Sequence, residues 1–186
     1  AEHALMVKPF AGFEQRMNEV LDGVRTGRVK DIAVVGGGSA GVELALSLQH
    51  RIRQFTNDTT VSFALITADD YLLRSHNPRV RTIVARLMND RGIAVHTNIK
   101  AEQLVAGSIV CSGGTIISSD ATIWATGPVA PAWFDDNGLA LDARGFLSVD
   151  ATLAAVTDSN AFGAGDCATI RDRDYPKSGV YAVREG

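Results

Sequence analysis

The feature that most constrains this chain is a turn. Asp31-Ile32-Ala33-Val34-Val35 is a short apolar run that stops abruptly at Gly36-Gly37-Gly38-Ser39-Ala40-Gly41, and Val42-Glu43-Leu44-Ala45-Leu46-Ser47-Leu48 then takes on helical character. In the spacing Gly36-x-Gly38-x-x-Gly41 the first glycine allows a tight turn and the second lets backbone approach a pyrophosphate. The third lets helix and strand pack closely. The free N–H groups and positive dipole end of the helix favour an anion at the same place. In a chain with 18 glycines such a motif alone is a weak signal, because any of them can mark an ordinary tight turn. Its context strengthens it. A second β-rich run, Val61-Ser62-Phe63-Ala64-Leu65-Ile66, begins about 30 residues after the first, the length of one βαβ unit. Strand, glycine turn, helix and strand together favour a dinucleotide site over a bare turn.

The remaining pattern extends this layout. Phe10, Phe13, Met17, Val20, Leu21 and Val24 recur at helical spacing, so Phe10 to Val24 reads as an amphipathic helix packed on a neighbouring layer. Pro78 to Met88 carries Val80, Ile83, Val84, Leu87 and Met88 at the same period, and Arg91-Gly92 supplies a helix stop before Ile93-Ala94-Val95. Two crossovers of this kind predict a parallel, doubly wound sheet. The pattern then changes. Gln103-Leu104-Val105, Ser108-Ile109-Val110-Cys111 and Thr115-Ile116-Ile117 are separated by short glycine-containing breaks, which predict an antiparallel meander. Asp120 to Ala125 reads as a buried strand ending at Thr126-Gly127-Pro128, Leu147-Ser148-Val149 as a weak strand, and Ala161-Phe162-Gly163-Ala164-Gly165-Asp166 as a second glycine-rich strand end. The fold class expected is α/β: a Rossmann-like three-layer nucleotide-binding domain, parallel sheet plus meander, followed by part of a second domain.

Several chemistries are excluded or left without equipment. A net charge of −3 provides no basic field for nucleic acid. The apolar stretches are too short for a transmembrane segment, and no signal segment opens the chain. His3, His50, His76 and His96 have no metal-ligand spacing, Cys111 and Cys167 match neither a zinc site nor a redox pair, and no Gly-x-Ser-x-Gly is present. A short-chain dehydrogenase needs Tyr-x-x-x-Lys, but Tyr71, Tyr175 and Tyr181 are followed four residues later by Ser75, Gly179 and Glu185. At the end of the second strand Thr67 could accept a plain ribose through its hydroxyl. Asp69 and Asp70 would repel a 2′-phosphate, and the first cation beyond them is Arg74. NAD(H) is therefore preferred to NADP(H). Glu43, just past the third glycine, suits the dipole of a helix start.

Taken together, the glycine fingerprint running into Gly41-Val42-Glu43-Leu44-Ala45, the Ala125-Thr126-Gly127 strand end and Phe162-Gly163-Ala164-Gly165-Asp166-Cys167-Ala168 resemble the flavin-dependent pyridine nucleotide-disulfide oxidoreductase family. The flanks, Glu2 to Phe10 and Pro176 to Gly186, resemble its NADH dehydrogenase-like branch, including members associated with selenide, water dikinase. The resemblance implies a lead-in segment and amphipathic helix at 1–28, an NAD(P)H-binding domain at 29–127 and the C-terminal part of a FAD-binding domain at 128–186. It implies that Gly36, Gly37, Gly38, Ser39, Ala40 and Gly41 hold the pyrophosphate, with Glu43 toward the nicotinamide, Thr67 toward the ribose, and Thr126 and Gly127 at a close cofactor approach. Gly165 and Asp166 would face FAD, with the Asp166 carboxylate on the ribityl or phosphate region. A helix from near Gly179 would aim its N-terminus at the flavin, and Arg184 and Glu185 would be exposed helix residues.

No catalytic side chain is implied, because hydride transfer from NADH to FAD needs no acid or base. The family's own first FAD fingerprint and its redox cysteine pair are missing, so the 186 residues are expected to be a fragment. This expectation leaves a second reading, a non-catalytic NAD(H)-binding or regulatory module. The resemblance implies a cytoplasmic protein, with the membrane surface open to the whole molecule. Quinone, disulfide and protein all stay open as electron acceptor, and oligomeric state is not legible.

Overall fold

A computed structural model describes residues 4–7, 12–56, 60–173, 175, 177 and 179–185. The backbone divides into two compact units, Ala1–Thr126 and Gly127–Gly186.

The first unit is built on a sheet of five parallel strands. They are β1 (Ala4–Met6), β2 (Asp31–Val35), β3 (Ser62–Ile66), β4 (Ile93–His96) and β8 (Ala121–Trp124), in the order β1-β8-β2-β3-β4. Three helices connect them: α1 (Phe13–Arg25), α2 (Ser39–Thr56) and α3 (Pro78–Asp90). Between β4 and β8 runs the meander β5 (Ala101–Val105), β6 (Ser108–Cys111) and β7 (Ile116–Ser118), paired antiparallel.

The alternation of side chains along a strand explains the layers. Ile32 and Val34 of β2, with Phe63 and Leu65 of β3, join a core with Met17 and Val24 of α1, Val42, Ala45, Leu48 and Ile52 of α2, and Met88 of α3. The intervening residues Ala33, Val35 and Ile66 pack instead with Ile109, Cys111 and Ile117 of the meander. This is why the inner strands are predominantly apolar: both faces are covered. Leu65 and Ile123 are wholly buried, and truncating either to alanine would cost about 2–5 kcal/mol. The doubly wound arrangement expected from the crossovers is thus modified. All three helices contribute to one core, and the meander covers the opposite face of the sheet in place of further helices.

Local signals set the helix ends. Asn77 caps α3, its side-chain oxygen accepting the Val80 N–H at 3.0 Å, and Pro78 follows at the first turn. Arg91 closes α3, and Gly92 adopts φ +69° beyond it. α1 begins after Gly12, so of the expected Phe10 to Val24 helix the part from Phe13 is observed, and Phe10 lies outside the described residues. The lead-in expected at 1–28 is integral to the first unit. β1 pairs with β8 in parallel, Leu5 opposite Ile123, and Leu5 joins the core containing Met17.

The second unit carries a four-stranded sheet in the order β11-β10-β9-β12, from β9 (Leu147–Val149), β10 (Ala154–Ala155), β11 (Asp158–Phe162) and β12 (Ala168–Ile170), followed by α4 (Gly179–Glu185). Phe134, Leu147, Val149, Ala155 and Ala168 form its core. Asp142 ties the unit together, accepting the N–H groups of Arg144 and Phe146 and the Thr169 hydroxyl. Burial alone would raise its carboxyl, but these bonds and the Arg144 charge outweigh it and hold the group below the ordinary carboxylate range. Among the described residues no helix is long and apolar enough to cross a membrane, and no group of three or more His, Cys, Asp or Glu could hold a metal ion.

Candidate functional site

The chain leaves β2 toward β3 on one side, while β8 returns on the other, so β2 and β8 form a topological switch point. Crevices at the carboxyl ends of such strands are where open α/β sheets take ligands. Gly36 follows β2 there, and Thr126 lies two residues past the end of β8.

Each glycine of the turn can be asked what a methyl group would meet. At Gly36, with φ +131°, it would lie 2.5 Å from the Ala125 carbonyl oxygen. At Gly37 it would lie 2.6 Å from the Thr67 hydroxyl and 2.7 Å from Thr67 Cβ. At Gly41 it would overlap the Gly36 carbonyl oxygen, because the first turn of α2 packs directly on the end of β2. Gly38 differs. Its φ lies outside the left-handed region, nothing stands within 4 Å of where a Cβ would be, and the residue is exposed. Three glycines are therefore demanded by the protein's own packing, and Gly38 is not.

The donors are in place as well. α2 starts at Ser39, and Val42 N–H reaches back to Gly38 O at 3.1 Å. Among the described residues the N–H groups of Gly38, Ser39 and Ala40 meet no acceptor, and all three residues are exposed. The first turn of α2 holds no acidic residue. Glu43, expected there, falls just beyond it and is exposed. An anion would meet backbone donors and the positive dipole end without a carboxylate in the same turn.

The role foreseen for Thr67 changes. It is 5% exposed, and its hydroxyl lies against Gly37 while accepting the Asp69 N–H at 3.2 Å. Its backbone bonds His96 and Ile99. Thr67 is a buried support of the turn rather than a surface hydroxyl for ribose. The exposed groups beside it are acidic: Asp70 is open to solvent, and Asp69 pairs with Arg74 at 3.1 Å. That bond, with the neighbouring Asp70 charge, raises the Arg74 guanidinium above its ordinary value.

Thr126 and Gly127 are exposed, and nothing stands within 4 Å of where a Cβ on Gly127 would be. Within the second unit Gly127 to Ala130, with Arg144, Phe146 and Lys177, line an open cleft of about 460 Å³. The Lys177 ammonium donates to Ala168 O and Thr169 Oγ1. Burial, and then the Arg144 charge, push it below the usual lysine value. Asp166 is half-buried on a 3₁₀ turn, Gly165–Cys167. Gly165, with φ +70°, lies against Ala182, and its N–H donates to Glu185 Oε2 at 2.7 Å. Glu185, expected as an exposed helix residue, is instead a half-buried clasp between α4 and this turn, while Arg184 is exposed as expected. No periodicity in the sequence signals a bond across twenty residues, and Lys177 was missed for the same reason.

Comparison with known proteins decides the family. Residues 7–186 match the model for the pyridine nucleotide-disulphide oxidoreductases. The chain belongs to this family. Its curated relatives include a probable NADH dehydrogenase of Dictyostelium discoideum, 25% identical over 174 residues that span 85% of this chain and 38% of that protein. Another is the type II NADH:quinone oxidoreductase of Haemophilus influenzae, 26% identical over 148 residues, 75% of this chain and 33% of that one. These relatives carry names of the NADH dehydrogenase-like branch, which the flanks of this chain resemble. Among solved structures, NDH2 from Plasmodium falciparum in complex with NADH superposes with TM-score 0.78 at 19% identity, covering 91% of this chain and 40% of that one. The NAD-dependent persulfide reductase from A. fulgidus gives 0.77 at 19%, covering 100% and 34%. The chain spans 33% to 41% of the length of the curated relatives it matches.

Proposed function

We propose that this chain is the NADH-binding portion of a flavoprotein oxidoreductase that passes hydride from NADH to FAD. The observation that carries the reading is Gly38: an exposed glycine that the fold does not require, whose N–H and those of Ser39 and Ala40, at the start of an 18-residue helix, meet no acceptor among the described residues. The pyrophosphate of a dinucleotide supplies what that geometry lacks, an anion close enough to touch the backbone. The relatives named as NADH dehydrogenases support the choice of nucleotide. Gly38, Ser39 and Ala40 would donate to the pyrophosphate, Gly36, Gly37 and Gly41 would shape the turn that presents them, and Thr67 would support it from beneath. Asp69 and Asp70, with one of the two charges offset by Arg74, would favour a ribose hydroxyl over a 2′-phosphate. Glu43, Thr126 and Gly127 would border the nicotinamide end.

For FAD, the residues present fit in one respect. Asp166 offers a carboxylate at a strand end and would meet the ribityl or phosphate region, whereas the Gly165 N–H beside it is already taken by Glu185. When bound, the nicotinamide and the flavin supply the hydride chemistry between them, and the chain's own work is binding and orientation. The site would be read at 29–127, with 128–186 continuing a FAD-binding domain.

Adding NADH to the whole protein is expected to bleach the flavin absorbance, and a whole protein that purifies without flavin would overturn the flavoprotein reading. NADH binding with no dye reduction would favour a nucleotide-binding module instead. Quinone, disulfide or protein as acceptor would be separated in the same assay by which one restores the flavin absorbance.

A further inference from the structure

The orientation of the Gly37–Gly38 peptide has an identifiable cause outside the glycine motif. The Leu73 N–H donates to the Gly37 carbonyl at 2.8 Å. In a trans peptide the C=O and the following N–H point in opposite directions, so the bond that draws the Gly37 oxygen toward Leu73 turns the Gly38 N–H away from it. Leu73 is 5% exposed and sits at φ +54°, a conformation that a bulky L-residue holds only when its surroundings enforce it. They do so here. Its side chain is part of the helix-side core, its carbonyl accepts the His76 N–H at 2.8 Å, and Leu72 beside it is buried in the same core. The loop is anchored again at its start, where Thr67 supports Gly37 and Asp69 bonds Asn98.

We propose that Leu73 is a positioning residue for the dinucleotide site: its buried left-handed backbone fixes the Gly37–Gly38 peptide so that the Gly38 N–H faces the pyrophosphate. This rests on the NADH reading given above. The loop from Thr67 to His76, which carries Asp69, Asp70 and Arg74, and the phosphate turn then form one preorganised unit, so a disturbance of the loop reaches the phosphate donors without touching the ligand. The role belongs to the backbone conformation and N–H of Leu73, which any residue that adopts φ +54° without strain can supply.

Two substitutions separate that role from a structural one. Leu73→Gly accepts φ +54° freely and keeps the N–H, but removes the buried side chain. Leu73→Val keeps most of the apolar bulk, but β-branching disfavours the left-handed region and pulls the N–H from Gly37. NADH titration by calorimetry is expected to leave Leu73→Gly within about threefold of the wild-type affinity despite a lower melting temperature. Leu73→Val is expected to lose about tenfold or more, the scale of one hydrogen bond to a charged ligand. Affinity falling as far in Leu73→Gly as in Leu73→Val would overturn the proposal.

Amide exchange on the wild type gives a test that needs no variant. The Leu73 N–H is expected to be protected in the free protein, and the Gly38 N–H to gain protection when inorganic pyrophosphate is added. Rapid exchange at Leu73 in the free protein would overturn the inference alone. Absence of any NADH binding by the wild type would overturn the functional reading and the inference with it.

Discussion

Two strand ends in this molecule share a sequence signature and differ in physics. At Gly36 to Gly41 and again at Gly163 to Gly165, glycines end a strand at a turn. In the second unit the chain itself fills the space the glycines leave. A methyl at Gly163 would lie 2.8 Å from Leu147 Cδ2, one at Gly165 would lie 2.8 Å from Ala182 Cβ, and Glu185 takes the Gly165 N–H. In the first unit the same accounting leaves a remainder, because Gly38 and the donors beside it are used by nothing among the described residues. A glycine-rich strand end therefore points to backbone contact with a ligand only where the fold leaves its glycines and their N–H groups unused.

The comparison can be broken by substitution, and the largest effect is expected at Gly41. Gly41→Ala places a methyl on the Gly36 carbonyl oxygen, backbone against backbone with no flexible side chain to yield. A loss of about 3 kcal/mol or more is expected, read as denaturant unfolding of the first unit. Next comes Gly165→Ala, which combines φ +70° with the Ala182 contact. Here about 1–3 kcal/mol is expected, confined to the second unit and visible as faster amide exchange in α4 and β12. Retained stability in either variant would mean that the glycine is not required by packing.

A smaller effect is expected from pH. Asp142 is held below the ordinary carboxylate range in the folded state, so its contribution is fully present above the unfolded value of about 3.9 and fades as pH falls through the folded value. The second unit should therefore weaken in acid below about pH 4 more steeply than Asp142→Asn does. Equal acid sensitivity of the two proteins in a melting series would contradict this. The smallest change is expected from Asp70→Asn, which removes one exposed charge from the loop after β3. The preference for NADH over NADPH should narrow by a few-fold, roughly what one screened surface charge supplies, and an unchanged ratio of affinities would remove Asp70 from the selectivity.

Much of this was legible in the residues. The order of strand, glycine turn and helix requires only local pattern, and so does the meander, whose breaks at Ala106-Gly107 and Ser112-Gly113-Gly114 fall between observed strands. β1 and β12 escaped because no glycine break frames them as breaks frame the equally short β7 and β9, and both are fixed by a partner distant in sequence. Within the site, the glycines were legible but not which of them the fold uses, since that depends on Ala125 and Thr67 arriving from other strands. Thr67 illustrates the limit. A threonine at a strand end reads as a surface hydroxyl, and only the packing of Gly37 on it shows that it faces inward. The left-handed conformation of Leu73 has no signature at all in a residue type that ordinarily avoids it.

The most direct test of the account is NADH titration of Gly38→Ala beside the wild type, with thermal unfolding of both. A methyl at Gly38 meets nothing within 4 Å among the described residues beyond its chain neighbours, and its φ lies outside the left-handed region. We expect an unchanged melting temperature together with a loss of NADH affinity of about tenfold or more, because the methyl occupies the approach that a pyrophosphate needs. Wild-type affinity in a folded Gly38→Ala variant would contradict the assignment of this turn as the nucleotide site.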